Sequence, residues 1–323
     1  MKILILFLCF AILVFLLIFL NNFSVFYSVK TEVKNFSLEL PEPQPTITQT
    51  LTTTTTFTSQ FNYSLQLSHP LIAENVRWAR MPIRVFIDPS CSKSKIESIR
   101  EAMRIWEEVT DHLIKFELVE KNYQVLIKCS NLLEESAGYS AIGEAKPTLI
   151  YTGYFHLIEN ASIVFLKRRI SCVKPIVELH ELGHVLGLDH VNDSKNVMYS
   201  YEKCDQTIPN YTVATLKKLY SIPSLPDLYI SNFSLKVEEG FGEIEIEIGN
   251  KGLVESNETE ISIHLNGKIE RFKLKPILPG NFRILKIENL RMKNVKEIKI
   301  VLDPENLVKE LDEENNQVVR LIE

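Results

Sequence analysis

The chain has 323 residues, an apolar fraction of 45% and a formal charge of −5 from 36 basic and 41 acidic side chains. That is enough chain for one to three domains and enough apolar material for their cores. No basic cluster or basic–aromatic interleaving offers nucleic acid an electrostatic footprint, so no nucleic-acid partner is expected.

In chain order, Met1-Lys2 leads into Ile3 to Leu20, eighteen residues without a charge. That length matches a bilayer core, and no small-x-small cleavage site follows. Residues 1–29 therefore read as an uncleaved signal-anchor with the rest of the chain outside the cell; secretion after cleavage is the alternative. Residues 30–75 carry Pro41-Glu42-Pro43-Gln44-Pro45 and a threonine tract through Thr56, and show no apolar periodicity. Such a stretch buries too little surface to offset its ordering entropy, and the expectation is a disordered stalk. Sequons at Asn22, Asn35, Asn62, Asn160, Asn192, Asn210, Asn232 and Asn257 are consistent with an exported glycoprotein.

Residues 76–222 read as one α+β domain. Ile83 to Ile87 alternates as a strand, and Ser94-Lys95-Ile96-Glu97 has the form of a capping box. Ile96, Ile99, Met103, Trp106 and Val109 then repeat at helical spacing. Further strands are expected at Ile114–Val119, Tyr123–Lys128, Thr148–Tyr154 and Ala161–Leu166. A helix is expected from Lys174, with Pro175 in its first turn, and a third over Thr212–Tyr220, capped by Thr212. About three helices on a twisted mixed sheet result. Of five cysteines, Cys9 lies in the apolar run, which leaves four for two disulfides or for free thiols. If the strands before Cys91 and Cys129 lie side by side in parallel, their C-terminal ends are close enough for a bridge. The expected pairs are Cys91–Cys129 and, from the remainder, Cys172–Cys204.

The chemistry concentrates in His180-Glu181-Leu182-Gly183-His184-Val185-Leu186-Gly187-Leu188-Asp189-His190. On a helix, His180 and His184 share a face and can grip one metal ion. Gly187 can take the left-handed conformation that ends the helix, which brings His190 round as a third ligand. Three protein ligands with an open fourth position is the coordination of catalytic zinc. Glu181 can reach a metal-bound water without binding the metal. Requiring the glycine and the third histidine lowers the odds of a chance match to about one in a hundred thousand. Lone His69, His112 and His264 read as surface or satisfied-core residues.

With Met198 eight residues past His190, this stretch resembles the metzincin metallopeptidases. Asn192 to Tyr199 is most similar to the matrixin (M10-type) branch, as are Ile83–Val119, with Trp106-Glu107-Glu108-Val109-Thr110, and Thr212–Tyr220. The resemblance implies one zinc ion on His180, His184 and His190, with Glu181 as general base and Met198 as an apolar floor. It also implies a protein or peptide substrate, paired in extended form with an edge strand near Ile142 to Ala145. Tyr199 is expected to pack rather than assist the oxyanion, and Asp189 to be a solvated neighbour or a partner supporting the ligands rather than a ligand. The stalk holds no cysteine that could impose latency, and no His/Asp-rich loop precedes the motif, so one catalytic zinc is the expected metal and calcium or structural zinc is not expected. Tyr199-Ser200-Tyr201 departs from the family's Tyr-Pro, so no side-chain preference carries over.

Residues 223–323 break into about seven short alternating runs separated by turn clusters, the pattern of an all-β Ig-like sandwich. Pro226-Asp227-Leu228, Asn250-Lys251-Gly252, Leu278-Pro279-Gly280, Asp303-Pro304-Glu305-Asn306 and Glu310 to Asn316 resemble the CARDB modules of prokaryotic surface proteins. Such a module offers a surface for a partner, and the acidic run at Glu310 reads as a solvated face and turn, with calcium binding as the minor reading. The expectation for the whole is a membrane-anchored zinc endopeptidase. The rival is a cell-surface adhesion or scaffold protein with an inert peptidase-like domain, for which Glu181 would have no use.

Overall fold

The computed structural model describes residues 55–57, 65, 67–131, 143–167 and 172–322. The run Ile3–Leu20 lies outside them, and among the described residues no helix is long and apolar enough to cross a membrane.

The first domain contains β2 (Arg77–Trp78), β3 (Ile83–Ile87), α1 (Lys93–Val109), β4 (Phe116–Leu118), β5 (Val125–Ser130), β6 (Gly143–Tyr151), β7 (His156–Leu166), α2 (Ile176–Val185) and α3 (Asn210–Tyr220). Strands β4, β3, β5 and β7 lie side by side in parallel, as short strands joined by crossovers must. Strand β6 runs antiparallel along β7, and β2 pairs with the start of β7. Helix α1 turns Ile99, Ala102, Met103 and Trp106 inward, all buried, and Trp106 Nε1 donates to the Leu179 carbonyl of α2 at 3.1 Å. Its cap is Ser92 rather than Ser94: Ser92 Oγ accepts from Lys95 N–H. A buried ion pair, Lys95 to Glu178 at 2.7 Å, ties the first turns of α1 and α2 together. Two disulfides, Cys91–Cys129 and Cys172–Cys204, have Cα atoms 4.9 and 5.1 Å apart. The parallel register that sets Ile87 opposite Ile127 explains the first.

The second domain contains β8 (Leu228–Glu238), β9 (Phe241–Asn250), β10 (Thr259–Leu265), β11 (Lys268–Leu274), β12 (Phe282–Arg291), β13 (Glu297–Leu302) and β14 (Gln317–Leu321). They form two antiparallel sheets, β12-β9-β8 and β14-β13-β10-β11. Period-two alternation puts Ile244, Ile246 and Ile248 fully inside, with Glu243, Glu245 and Glu247 turned out of that core. The domains meet through a small core of Phe155, Leu157, Leu253 and Val254. Polar ties reinforce it: Thr152 Oγ1 donates to the Lys251 carbonyl, and Lys251 Nζ to the Tyr154 hydroxyl, both at 2.9 Å.

The expected stalk is shorter at its C-terminal end, because parts of it find partners. Strand β1 (Thr55–Phe57) adds to the edge of β14, where unpaired backbone groups await a partner. Residues 67–75 fold onto the first domain: His69 is 1% exposed, Val76 follows fully buried, and Leu71 bridges Leu188. Helix α3 starts at Asn210 after Pro209, so Thr212 does not cap it; it is fully buried and bonded elsewhere.

Candidate metal centre and active site

Helix α2 places His180 and His184 one turn apart and then ends on a Schellman turn. Leu188 N–H donates to Gly183 O and Gly187 N–H to His184 O, both at 3.0 Å. Gly187 sits at φ +96°, and a Cβ there would meet Val76 Cγ1 at 2.7 Å, so only glycine fits. The turn delivers His190. The three Nε2 atoms converge, at 3.1 Å (His180–His184) and 3.2 Å (His184–His190 and His180–His190). Three nitrogens bound tetrahedrally to zinc at about 2.0–2.1 Å would lie roughly 3.3 Å apart, so the spacing fits that ion.

The tautomers fit as well. His180 Nδ1 lies 2.7 Å from the Val197 carbonyl and His184 Nδ1 2.8 Å from the Leu188 carbonyl. A carbonyl cannot donate, so each Nδ1 carries the proton and each Nε2 presents a lone pair. Burial, reinforced by the neighbouring imidazoles, lowers His180 to a pKa of about 3 and His184 to about 4. Both rings are neutral donors at physiological pH.

Glu181 is 3% exposed. Burial first, then the nearby Glu202 and Glu144, raise its pKa to about 8, while a hydrogen bond from the Ala145 backbone opposes the rise. Strand β6 passes directly over this carboxylate: a Cβ on Gly143 would sit 2.6 Å from Glu181 Oε1. Met198 is fully buried beneath α2, where a Cβ on Gly183 would meet its Sδ at 2.3 Å. Its turn is fixed by Asn196, whose Oδ1 accepts from Met198 N–H at 2.8 Å. The Tyr199 ring lies tilted against Tyr201, centroids 5.8 Å apart, with Lys203 Nζ over its face. The Asp189 carboxylate accepts the His190 backbone N–H at 2.7 Å.

The loop to the third histidine is clamped by residues that sequence reasoning set aside. Asp189 N–H donates to Pro70 O and Ile72 N–H to Gly187 O, both at 3.0 Å. His69 Nε2 donates to the Asp189 carbonyl at 2.9 Å, so its Nδ1 accepts from the Thr212 hydroxyl, also 2.9 Å away. Thr212 in turn accepts from Asn196 Nδ2 at 3.1 Å. One chain of hydrogen bonds thus joins the His190 loop to the Met198 turn. His69 is a satisfied core histidine, as expected, but its position is structural to the metal centre. Gly143, Gly183 and Asn196 were not singled out, although each lies inside a stretch that was: the Ile142–Ala145 edge, the histidine motif and Asn192–Tyr199.

A three-histidine cluster running from buried His180 to exposed His190, with an adjacent carboxylate, a glycine-ended helix and a methionine turn, has the form of a metzincin-type metallopeptidase domain. Residues 85–221 match the Matrixin family (Peptidase_M10), and residues 225–320 match the CARDB family. The first match supports a metallopeptidase-type hydrolase at the family level for residues 85–221, and the second a CARDB domain for residues 225–320. No curated protein matches it. Among solved structures it is similar to a domain (residues 272–376) of a putative cell surface protein from Methanosarcina acetivorans, at 19% identity and TM-score 0.28, covering 30% of this chain and 90% of that one. It is also similar to the CARDB domain of the PF1109 protein from Pyrococcus furiosus. The crystal structure, in complex with di-metal ions, shares 22% identity at TM-score 0.26 over 30% of this chain and 87% of that one. The solution structure shares 21% at 0.25 over 30% and 94%.

Proposed function

We propose that the chain is a zinc-dependent endopeptidase acting outside the cell, held to a membrane through Ile3–Leu20. The observation that carries the enzymatic part is the convergence of three Nε2 lone pairs within 3.2 Å, with the buried Glu181 beside them. When bound on His180, His184 and His190, zinc supplies an acidified water and polarises the scissile carbonyl. Glu181 takes the proton of the attacking water on its carboxylate and passes it to the leaving amine nitrogen. A carboxyl whose proton affinity lies near neutrality is suited to both transfers. Strand β6 pairs on one side with β7, and its other edge accepts the substrate as an added strand.

The test uses the full chain, zinc-loaded, on an unfolded protein substrate. Cleavage that is lost with a chelator, restored by zinc and lost in Glu181→Ala with zinc still bound is the expected result. Bound zinc without cleavage of any of several varied substrates would favour the inert-domain reading.

A further inference from the structure

The peptidase chemistry leaves one buried polar cluster unused. It lies where the second domain begins, at Asp227, and where the run Glu310 to Asn316 folds back over it. The expected solvated acidic face holds for Glu313 and Glu314 only: Asp227 is fully buried, and Glu310, Asp312 and Asn316 are only 5–7% exposed. The segment is held down because Leu311 N–H donates to Pro226 O and Leu228 N–H to Glu310 Oε2.

Part of the cluster satisfies itself. Asn315 Nδ2 donates to Asp227 Oδ1 at 2.7 Å, Asn316 Nδ2 to Glu310 Oε1 at 3.1 Å, and Glu314 N–H to Asp312 Oδ1 at 2.9 Å. Four atoms are left over: Asp227 Oδ2, Asp312 Oδ2, Asn315 Oδ1 and Asn316 Oδ1 are buried without a hydrogen-bond partner. Among the described residues these are the buried side-chain polar atoms so left, and every one is an oxygen acceptor. Buried acceptors without donors are rare in folded proteins and call for an unseen partner. The charge is equally one-sided. Asp227 is repelled by Asp312 and Glu313, and Glu310 by Glu313 and Asp227. The cation at hand, Lys251 Nζ, stands 4.0 Å from Asp227 Oδ1 and spends a hydrogen bond on Tyr154. A water molecule has two protons for four acceptors and brings no charge. A hard cation answers both deficits, and the mixture of carboxylate and amide oxygens, without nitrogen or sulfur, is the ligand chemistry of calcium rather than zinc.

We propose that Asp227, Asp312, Asn315 and Asn316 hold a calcium ion at the start of the second domain. The site ties the first residues after the interdomain segment to the run that enters β14. Lys251, its neighbour, reaches across to Tyr154 of the first domain. Calcium therefore stiffens the junction between the domains. This assignment does not depend on the peptidase reading.

The experiment takes the full chain, zinc-saturated and in calcium-free buffer. Equilibrium dialysis with radioactive calcium and thermal melts are run in parallel. The expected result is one calcium ion per chain, with a Tm rise of roughly 5–10 °C at a hundredfold excess over Kd. Asp312→Asn keeps the shape and the acceptor for Glu314 N–H, and is expected to fold yet bind calcium at least tenfold more weakly. No calcium retained by the unmodified chain at millimolar concentration would overturn the site, leaving ordered water as the partner of these oxygens. An undiminished calcium shift in Asp312→Asn would overturn it too, and an equal response to magnesium would overturn the choice of ion. The dialysis on the unmodified chain decides even if the variant fails to fold.

Discussion

The histidine centre and the acidic cluster are built on the same electrostatic plan with opposite bookkeeping. Each leaves like ligand atoms without a counter-ion: three nitrogens within 3.2 Å, from buried His180 to exposed His190, in one, and four buried, unpartnered oxygens in the other. In the histidine centre the scaffold arranges everything except the lone pairs. Two of the three rings spend Nδ1 on a backbone carbonyl, so they remain neutral and cost little when no ion is bound. In the acidic cluster the ligands are charged, and burial without a counter-ion is costly. A neutral site can wait for its metal; a charged one leans on protons or cations to persist.

The largest expected effect separates chemistry from binding in the first site. Glu181→Gln keeps the shape and the hydrogen bond from strand β6 but cannot take a proton. The expected loss in kcat/KM is about 10²–10⁴-fold. Zinc content by metal analysis is expected to stay unchanged, because the ligands are the three histidines. A loss of zinc along with activity would mean that Glu181 holds the metal centre together, and the distinction between arranged scaffold and arranged charge would fail.

The next test targets the arrangement itself. His69→Ala removes the donor to the Asp189 carbonyl and the acceptor for Thr212 while touching no metal ligand. Zinc affinity is expected to fall about 10–100-fold, the range seen when the supporting shell of a metal site is lost. His69→Gln, which can still bond both ways, is expected to recover part of it. A zinc affinity unmoved in both variants would show that the His190 loop needs no clamp.

What could be read in advance follows the same division. Every ligand of the histidine centre lies within eleven residues, because helix periodicity and a glycine turn suffice to converge them. That grammar is local, so spacing alone revealed it. Alternation likewise exposed strands such as Ile83–Ile87, and the parallel strands foretold Cys91–Cys129. The acidic cluster joins Asp227 to Glu310, 82 intervening residues being absent from any local pattern apart from a charge run that reads equally well as solvated. The clamp is just as non-local: His69 and Thr212 lie 143 positions apart. Ser94 and Thr212 show how a local rule misleads when tertiary bonds compete for the same hydroxyl. Ser92 takes the cap, and Thr212 is claimed by His69 and Asn196.

Packing supplies a test of intermediate size. Gly183→Ala would set a methyl group 2.3 Å from Met198 Sδ and 3.5 Å from Trp106. Both neighbours are buried, so relief must come from moving the methionine turn that also holds Val197 O against His180. A destabilisation of about 1–3 kcal/mol is expected from denaturant melts, as for other overpacked cores. Gly183→Ala combined with Met198→Ala is expected to recover zinc binding in part, since the second change vacates the space.

The smallest expected effect is a pH dependence that the two sites should share unequally. Burial, partly opposed by Lys251 and Asn315, raises Asp227 to a pKa of about 7; burial likewise raises Glu310 to about 8, against ordinary values of 3.8 and 4.5. Carboxyls raised on folding bind protons more tightly in the native state. Their contribution to stability is therefore complete below about pH 4 and is lost as pH climbs through 7 to 8. Glu181 slopes the same way, so the whole-chain profile alone cannot separate the sites. The difference between the unmodified chain and Asp227→Asn can. In calcium-free buffer with zinc saturating, the unmodified chain is expected to lose several degrees more in Tm between pH 5 and 8 than Asp227→Asn. Adding calcium at pH 8 is expected to close that gap, because the ion replaces the lost protons. Parallel profiles for the two proteins would mean that Asp227 is paid for by Lys251 alone, and the contrast between a neutral waiting site and a charged dependent one would collapse.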